Sequence, residues 1–103
     1  NKDVVYSGPL YKRILINKNK IIIEFDHVEG GLIKKEDELT GFEIAGENKK
    51  FIEADAIIKD NKVVVWNKKI SNPKYVRYGW KDTSSASLFN KNGLPASSFN
   101  SIN

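Results

Sequence analysis

The chain has 103 residues, of which 40% are hydrophobic and 29% charged, a balance that supports one globular domain and argues against disorder. The absence of cysteine excludes disulfides, thiolate nucleophiles and cysteine-based zinc sites. The net charge of +4 comes from lysines interleaved with acidic residues, and no apolar run approaches the ~20 residues of a membrane-spanning helix. Neither nucleic acid nor a membrane is therefore an expected partner.

Two strands near the start of the chain are predicted to form a hairpin. The first is LYKRILI, residues 10–16, and the second is KIIIEFDHV, residues 20–28, with a turn at 17–19 between them. Alternation along the second strand points one set of side chains inward: Ile21, Ile23, Phe25 and His27. His27 is the only histidine in the chain, and this pattern favours packing at the sheet end over a role as a base.

Four further segments have the alternation or the β-branched content of strands. They are GFEIAGE at 41–47, FIEADAIIK at 51–59, KVVVW at 62–66 and KYVRYGW at 74–80. Asp60-Asn61 favours a tight primed turn, because Asn tolerates a positive φ. Turn signals about every 8–12 residues predict an all-β fold, an antiparallel β-sandwich of about seven or eight strands with an irregular C-terminal tail.

Motifs for catalysis or metal binding are missing from this pattern. None of the serines lies in a Gly-x-Ser-x-Gly elbow, and the glycines lack the spacing of a phosphate-binding loop. Glu24 and Asp26 fall on the strand face opposite His27, so the three side chains cannot converge on a metal without a bulge. A hard cation on Glu24 and Asp26 alone is the alternative, although paired carboxylates are common on a solvated strand face. Apart from that alternative, the residues alone predict no catalytic, metal or cofactor site.

KYVRYGW places an arginine inside an otherwise apolar strand. Alternation puts Val76, Tyr78 and Trp80 on one face and Arg77 on the other. Burying a ring of 150–250 Å² is worth roughly 4–6 kcal/mol at ~25 cal/mol per Å², which favours Tyr78 and Trp80 as core residues. The alternative is a sugar-stacking platform, which would make the chain an independent carbohydrate-binding module. Its candidate rings are Tyr6, Tyr11, Trp66, Tyr75, Tyr78 and Trp80.

The segment NPKYVRYGWKDTSSASLFNKNGLPASSFNS, residues 72–101, resembles the C-terminal signature of sialate O-acetylesterases. That signature combines a proline, Val-Arg-Tyr-small-Trp, Leu-(Phe/Tyr)-Asn and Gly-Leu-Pro-Ala. The matching residues are Pro73, Val76, Arg77, Tyr78, Gly79, Trp80, Leu88, Phe89, Asn90, Gly93, Leu94, Pro95, Ala96 and Phe99. Two earlier stretches, which begin at Phe25 and Gly41, also match, so the resemblance covers residues 7–101.

The resemblance implies an SGNH/GDSL-type hydrolase that removes O-acetyl groups from sialic acids or other sugars. In that family the catalytic Ser, Asp and His belong to an upstream α/β domain, whose motifs this chain lacks, so no catalytic residue carries over. Residues 1–9 would then be a linker from the catalytic domain, and 10–103 a single, non-catalytic C-terminal β-sandwich packed against it. Ser98 and Asn100 depart from the signature, which has a proline and a basic residue there.

The signature also nominates residues for structural or interdomain roles. They are Arg77, Tyr78, Trp80, Asn90, Gly93, Leu94, Pro95 and Phe99. Because Arg77 lies mid-strand, its guanidinium is expected to meet a carboxylate or backbone carbonyls, within this domain or across to the catalytic domain. The resemblance implies two partners, the SGNH catalytic domain of the same polypeptide and an acetylated carbohydrate. It implies no cofactor, and an extracellular or periplasmic location.

Overall fold

Two four-stranded antiparallel sheets and a small two-stranded sheet form the fold. The computed structural model describes residues 8–28, 31–34, 39–79, 87–91 and 93–102. The first sheet contains, in order, β1 (Leu10–Asn17), β2 (Lys20–Asp26), β7 (Lys62–Trp66) and β6 (Asp55–Lys59). The second sheet contains β10 (Phe99–Asn100), β8 (Tyr75–Tyr78), β4 (Phe42–Ala45) and β5 (Ile52–Glu53). The small sheet pairs β3 (Leu32–Lys34) with β9 (Leu88–Asn90).

The predicted all-β, antiparallel fold class is confirmed, and the described part of the chain contains no helix. Accordingly, none of its elements is a long apolar helix of the kind that crosses a membrane. The described residues form ten strands, whereas the sequence predicted about seven or eight. One reason is that FIEADAIIK divides at Ala54 between the two four-stranded sheets, and another is that the tail adds β9 and β10.

The core lies between the inward faces of the two large sheets. Residues that alternate along the strands line it and are fully buried: Ile21, Ile23, Val63, Val65, Phe42, Ile44 and Val76. The inward orientation predicted for Ile21, Ile23 and Phe25 is thus present in the structure. His27 departs from the predicted alternation, since it follows the end of β2, has a φ of 61° and is only half-buried.

The turn between β6 and β7 has the predicted primed geometry. Asp60 and Asn61 both have a positive φ, of 53° and 64°, and the flanking Lys59 and Lys62 are paired. The Asn61 side chain has a second role, because its Oδ1 accepts a hydrogen bond from the backbone N–H of Leu32 at 3.1 Å. The hairpin is thereby linked to β3.

An ion pair connects β1 and β2 on the outside of the first sheet. Arg13 Nε donates to Glu24 Oε1 at 2.6 Å, and this hydrogen bond, helped by the charges of Arg13, Lys62 and Lys12, holds the pKa of Glu24 below its usual value. Because folding lowers this pKa, Glu24 contributes stability at neutral pH that is lost as the pH falls through the lowered value. We therefore expect Glu24→Gln to lower the unfolding temperature at neutral pH but not at about pH 2.

Thermal unfolding followed by circular dichroism at a series of pH values measures this effect. Glu47→Gln is the matched control, because Glu47 is an exposed turn residue. The assignment to Glu24 fails if the two variants have the same pH profile, or if the Glu24→Gln difference persists in acid.

Candidate functional site

Some of the signature residues, together with neighbours outside the signature, form two sets: one holds the tail on the sandwich, and the other is an outward-facing row on the second sheet. We call the first set the tail anchor: Tyr78, Ser87, Asn90, Leu94 and Phe99. We call the second set the arginine row: Asn100, Arg77, Glu43 and Glu53, which are successive neighbours across β10, β8, β4 and β5. The two sets lie back to back, because alternation along β8 sends Tyr78 inward and Arg77 outward.

Tyr78 joins the core to the first part of the tail. Its ring is buried and packs against the ring of Phe42, with 4.5 Å between the two ring centroids. Its hydroxyl oxygen accepts hydrogen bonds from the backbone N–H groups of Ser87 at 3.2 Å and Leu88 at 3.3 Å. One side chain therefore supplies both apolar area and an acceptor for two buried donors.

Ser87 is a tail-anchor residue that the sequence reasoning missed. Its hydroxyl donates to the carbonyl of Thr40 at 2.6 Å and accepts from the N–H of the same residue at 3.0 Å. The side chain is buried, and both bonds go to backbone groups. Ser87 therefore has the environment of a structural serine rather than of an activated nucleophile. The only signal in the sequence is its position directly before Leu-Phe-Asn.

Asn90 closes the turn that follows β9 and ties it to the end of β2. Its side-chain Oδ1 accepts from the N–H of Leu94 at 3.1 Å, and its Nδ2 donates to the carbonyl of His27 at 3.4 Å. Its backbone N–H donates to the Leu94 carbonyl, and its carbonyl accepts from Gly93, both at 3.0 Å. Gly93 has a φ of 84°, which favours glycine at that position.

Phe99 fastens the end of the tail against aromatic rings of the first sheet. It stacks on Tyr11 at 4.6 Å with an interplanar angle of 7°, and it meets Phe25 edge-on at 5.8 Å. Burial also raises the pKa of the Tyr11 phenol. Pro95, another signature residue, forms an isolated antiparallel β-bridge with Phe89. The tail is thus packed as part of the sandwich.

Gly8 and Pro9, the last residues of the predicted linker, are buried against the tail. The carbonyl of Pro9 accepts a hydrogen bond from Ser97 N–H at 3.2 Å. A Cβ on Gly8 would lie 2.1 Å from the carbonyl oxygen of Pro95, so a larger residue there requires the backbone to move. Residues 1–7 lie outside the described part, and the linker over 1–9 stays a prediction.

Arg77 meets a carboxylate of its own domain. Its Nε donates to Glu43 Oε1 at 2.6 Å, and its guanidinium carbon lies 4.2 Å from the centroid of the Phe51 ring. Glu53 is the cross-strand neighbour of Glu43, so Arg77 also moderates the repulsion between two carboxylates in register. Arg77, Glu43 and Glu53 border a groove of about 410 Å³.

We expect Arg77→Met to lower the free energy of unfolding by about 1 kcal/mol, because it removes an exposed ion pair and a cation–π contact. The estimate is small because the two side chains are 46% and 40% exposed. Urea unfolding measures the change. Glu43→Gln is the matched control, since it removes the ion pair but retains Phe51 and should cost less. A loss above about 3 kcal/mol for Arg77→Met would contradict this account.

The described aromatic rings do not form one sugar-stacking platform. Tyr11 and Tyr78 both pack against Phe99, which is half-buried at the edge of the core. Trp66 lies on the first sheet and Tyr75 on the second. Two of the candidate rings lie outside the described residues: Tyr6 and Trp80. The core position predicted for Tyr78 is therefore observed, whereas that of Trp80 stays a prediction.

Catalytic and metal-binding groups also do not converge within the described part of the chain. There, no group of three His, Asp or Glu side chains comes together to hold a metal ion. His27 contributes its backbone carbonyl to the tail anchor, as the acceptor for Asn90. The hydrogen bonds of the tail anchor instead fix the C-terminal tail to the sandwich.

Fold and site together define an all-β domain with a tightly integrated C-terminal tail. It is similar in both sequence and fold to part of a carbohydrate acetylesterase from Xanthomonas citri. The identity is 35%, the TM-score is 0.83, and the match covers 94% of this chain. The chain spans only 23% of the length of that enzyme. No protein-family model and no curated protein matches the chain.

Proposed function

We propose that this chain is the accessory β-sandwich of a sialate O-acetylesterase-like carbohydrate esterase. It is non-catalytic by itself and packs against the SGNH catalytic domain of the same polypeptide. The observation that carries the proposal is the match over 94% of this chain to a segment that forms only 23% of a carbohydrate acetylesterase. A segment of that size leaves most of such an enzyme, including room for a catalytic domain, outside the region of similarity.

The contacts of the tail signature support an accessory role. Its polar members Tyr78 and Asn90 hold backbone groups of the tail, and Arg77 pairs with Glu43 on the neighbouring strand. These contacts are made inside the domain. The signature is also the basis for the finer proposal, that the substrate is an O-acetylated sialic acid or related sugar and that the protein acts outside the cytoplasm.

Hydrolysis of an aryl acetate by the purified 103-residue chain tests the non-catalytic role. We expect no turnover above the buffer rate, because the described residues contain no nucleophile paired with a base. The matched measurement uses the polypeptide that also contains the proposed catalytic domain, which should hydrolyse the same ester. Turnover by the short chain that survives purification and disappears in His27→Ala would overturn the proposal.

Release of acetate from O-acetylated sialic acid, compared with acetylated xylose, tests the substrate class separately. A preference of the longer polypeptide for the sialic acid supports the sialate assignment. Activity on the xylose ester alone would replace the substrate but leave the accessory role intact.

A further inference from the structure

The outer face of the first sheet carries a row of apolar side chains that crosses all of its strands. The row, here called the outer apolar row, consists of Leu15, Ile22, Val64 and Ile57, which are successive neighbours across β1, β2, β7 and β6. Leu15 and Ile57, at its two ends, are 45% and 46% exposed. A sheet face open to water usually carries polar side chains at such positions, so four aligned aliphatic residues indicate a surface that is covered by a partner.

The outer face of the second sheet is different. There the equivalent position across the strands is occupied by the arginine row, in which Arg77 and Glu43 are already paired with each other. Covering that face would require these charged groups to lose water. Covering the outer apolar row would instead remove aliphatic surface from water, which is favourable. The first sheet also has an outward ion pair, Arg13–Glu24, but it lies beside the row and not within it. A partner centred on the row would therefore bury aliphatic side chains at its middle and meet that ion pair only at its edge.

Charged residues on both sides of the row describe the partner further. Lys20, Lys59 and Lys62 line the groove of about 400 Å³ that contains the row, together with one acidic residue, Asp60. The lining of this groove is therefore net positive, with Lys20 on one side of the row and Lys59 and Lys62 on the other. A complementary surface would place aliphatic or aromatic side chains at its centre and carboxylates at its edge.

The size of the face discriminates between a freely diffusing partner and a tethered one. Four strands about 4.8 Å apart, with three outward residues on each, give a footprint of about 400 Å². A standard complex buries roughly 800 Å² on each partner, so this face is too small for a stable dimer of free chains. A domain on the same polypeptide needs less area, because the linker keeps its effective concentration in the millimolar range.

We propose that the outer apolar row is the surface on which this domain docks against another domain of the same polypeptide. This inference rests on the proposed function, and it adds which face makes the contact and what chemistry the opposite face has. The X. citri enzyme supports the choice of a tethered partner, since its similar segment belongs to a chain about four times as long.

Hydrogen–deuterium exchange of the edge strands β1 and β6 tests the inference. The amides of these strands are compared in the chain alone and in the polypeptide that includes the proposed catalytic domain. We expect exchange to be at least about tenfold slower in the longer polypeptide. Ile57→Lys should abolish that slowing, because it places a charge in the row. Leu15→Lys, at the opposite end of the row, is the second variant in case Ile57→Lys does not fold.

The matched control is Ile33→Lys, because Ile33 is 44% exposed but lies on β3, outside the first sheet. This variant should retain the slow exchange. If Ile57→Lys and Leu15→Lys retain it too, the docking face is wrong while the accessory role stands. If the wild-type amides exchange equally fast in the chain alone and in the longer polypeptide, the proposal that the two domains pack together is wrong as well. A concentration-dependent dimer of the chain alone in analytical ultracentrifugation would assign the row to a second copy and overturn the inference.

Discussion

Replacing Asn90 with alanine is expected to lower the free energy of unfolding by about 2–4 kcal/mol. The side chain is buried, and it supplies the acceptor for Leu94 N–H and a donor to the His27 carbonyl. Alanine would leave these half-buried backbone groups without the Asn90 side chain as their partner and would leave a gap where that buried side chain lay. Urea unfolding monitored by circular dichroism measures the loss. The far-ultraviolet spectrum at zero urea shows whether the variant is still folded.

Asn48→Ala is the matched control for this change. Asn48 also accepts a backbone hydrogen bond through Oδ1, from Lys50 N–H at 2.9 Å, but it is exposed. Water can replace that bond, so the expected loss is below about 1 kcal/mol. Equal losses in the two variants would contradict the role assigned to Asn90, because burial would then make no difference.

Alternation along individual strands predicted most of the core faces, and the spacing of turn signals predicted the fold class. Ile21 and Ile23 turn inward as the pattern predicts, and Glu43 turns outward between two buried residues. The division of FIEADAIIK was not predictable in this way, because alternation alone does not show which sheet a strand joins. Its cause is tertiary: Ala54 N–H donates to the carbonyl of Phe42 at 2.9 Å as the chain passes from one sheet to the other.

The sequence predicted which kinds of residue form the candidate site, but it predicted few of the contacts that each residue makes. The sequence indicated that Arg77 would meet a carboxylate, but several are available, and only the β4–β8 register selects Glu43. The bond between Ser87 and Thr40 joins residues 47 positions apart, and no local pattern signals it. Such pairings depend on strand order, which a single sequence with several similar strands leaves open.

The outer apolar row could not be predicted either, because it depends on how the strands pair. Along KVVVW, three consecutive valines place apolar groups on both faces of β7, which is compatible with either a buried or a half-buried strand. Only the pairing of Val64 with Ile22 and Ile57 shows that the second face is continuous across the sheet. The register between the strands therefore aligns apolar residues from separate strands in one continuous surface.

Substitutions at Tyr78 are expected to separate the two ways in which this residue holds the tail. Tyr78→Phe retains the ring but removes the acceptor for the N–H groups of Ser87 and Leu88, and should cost about 1–3 kcal/mol. Tyr78→Ala also removes the ring from its contact with Phe42, and the total loss should reach about 4 kcal/mol or more. Urea unfolding measures both losses.

Tyr75→Phe tests whether the cost at Tyr78 belongs to the tail. Tyr75 lies on the same strand but on the other face and is half-buried, with the Lys49 ammonium 5.8 Å from its ring centroid. Its hydroxyl should contribute less than about 0.5 kcal/mol. Amide exchange at Leu88 should increase in Tyr78→Phe and stay unchanged in Tyr75→Phe, because that N–H donates to the hydroxyl of Tyr78 and not to that of Tyr75. If Leu88 stays protected in Tyr78→Phe, the tail is held by its apolar contacts, and the hydroxyl adds nothing to them.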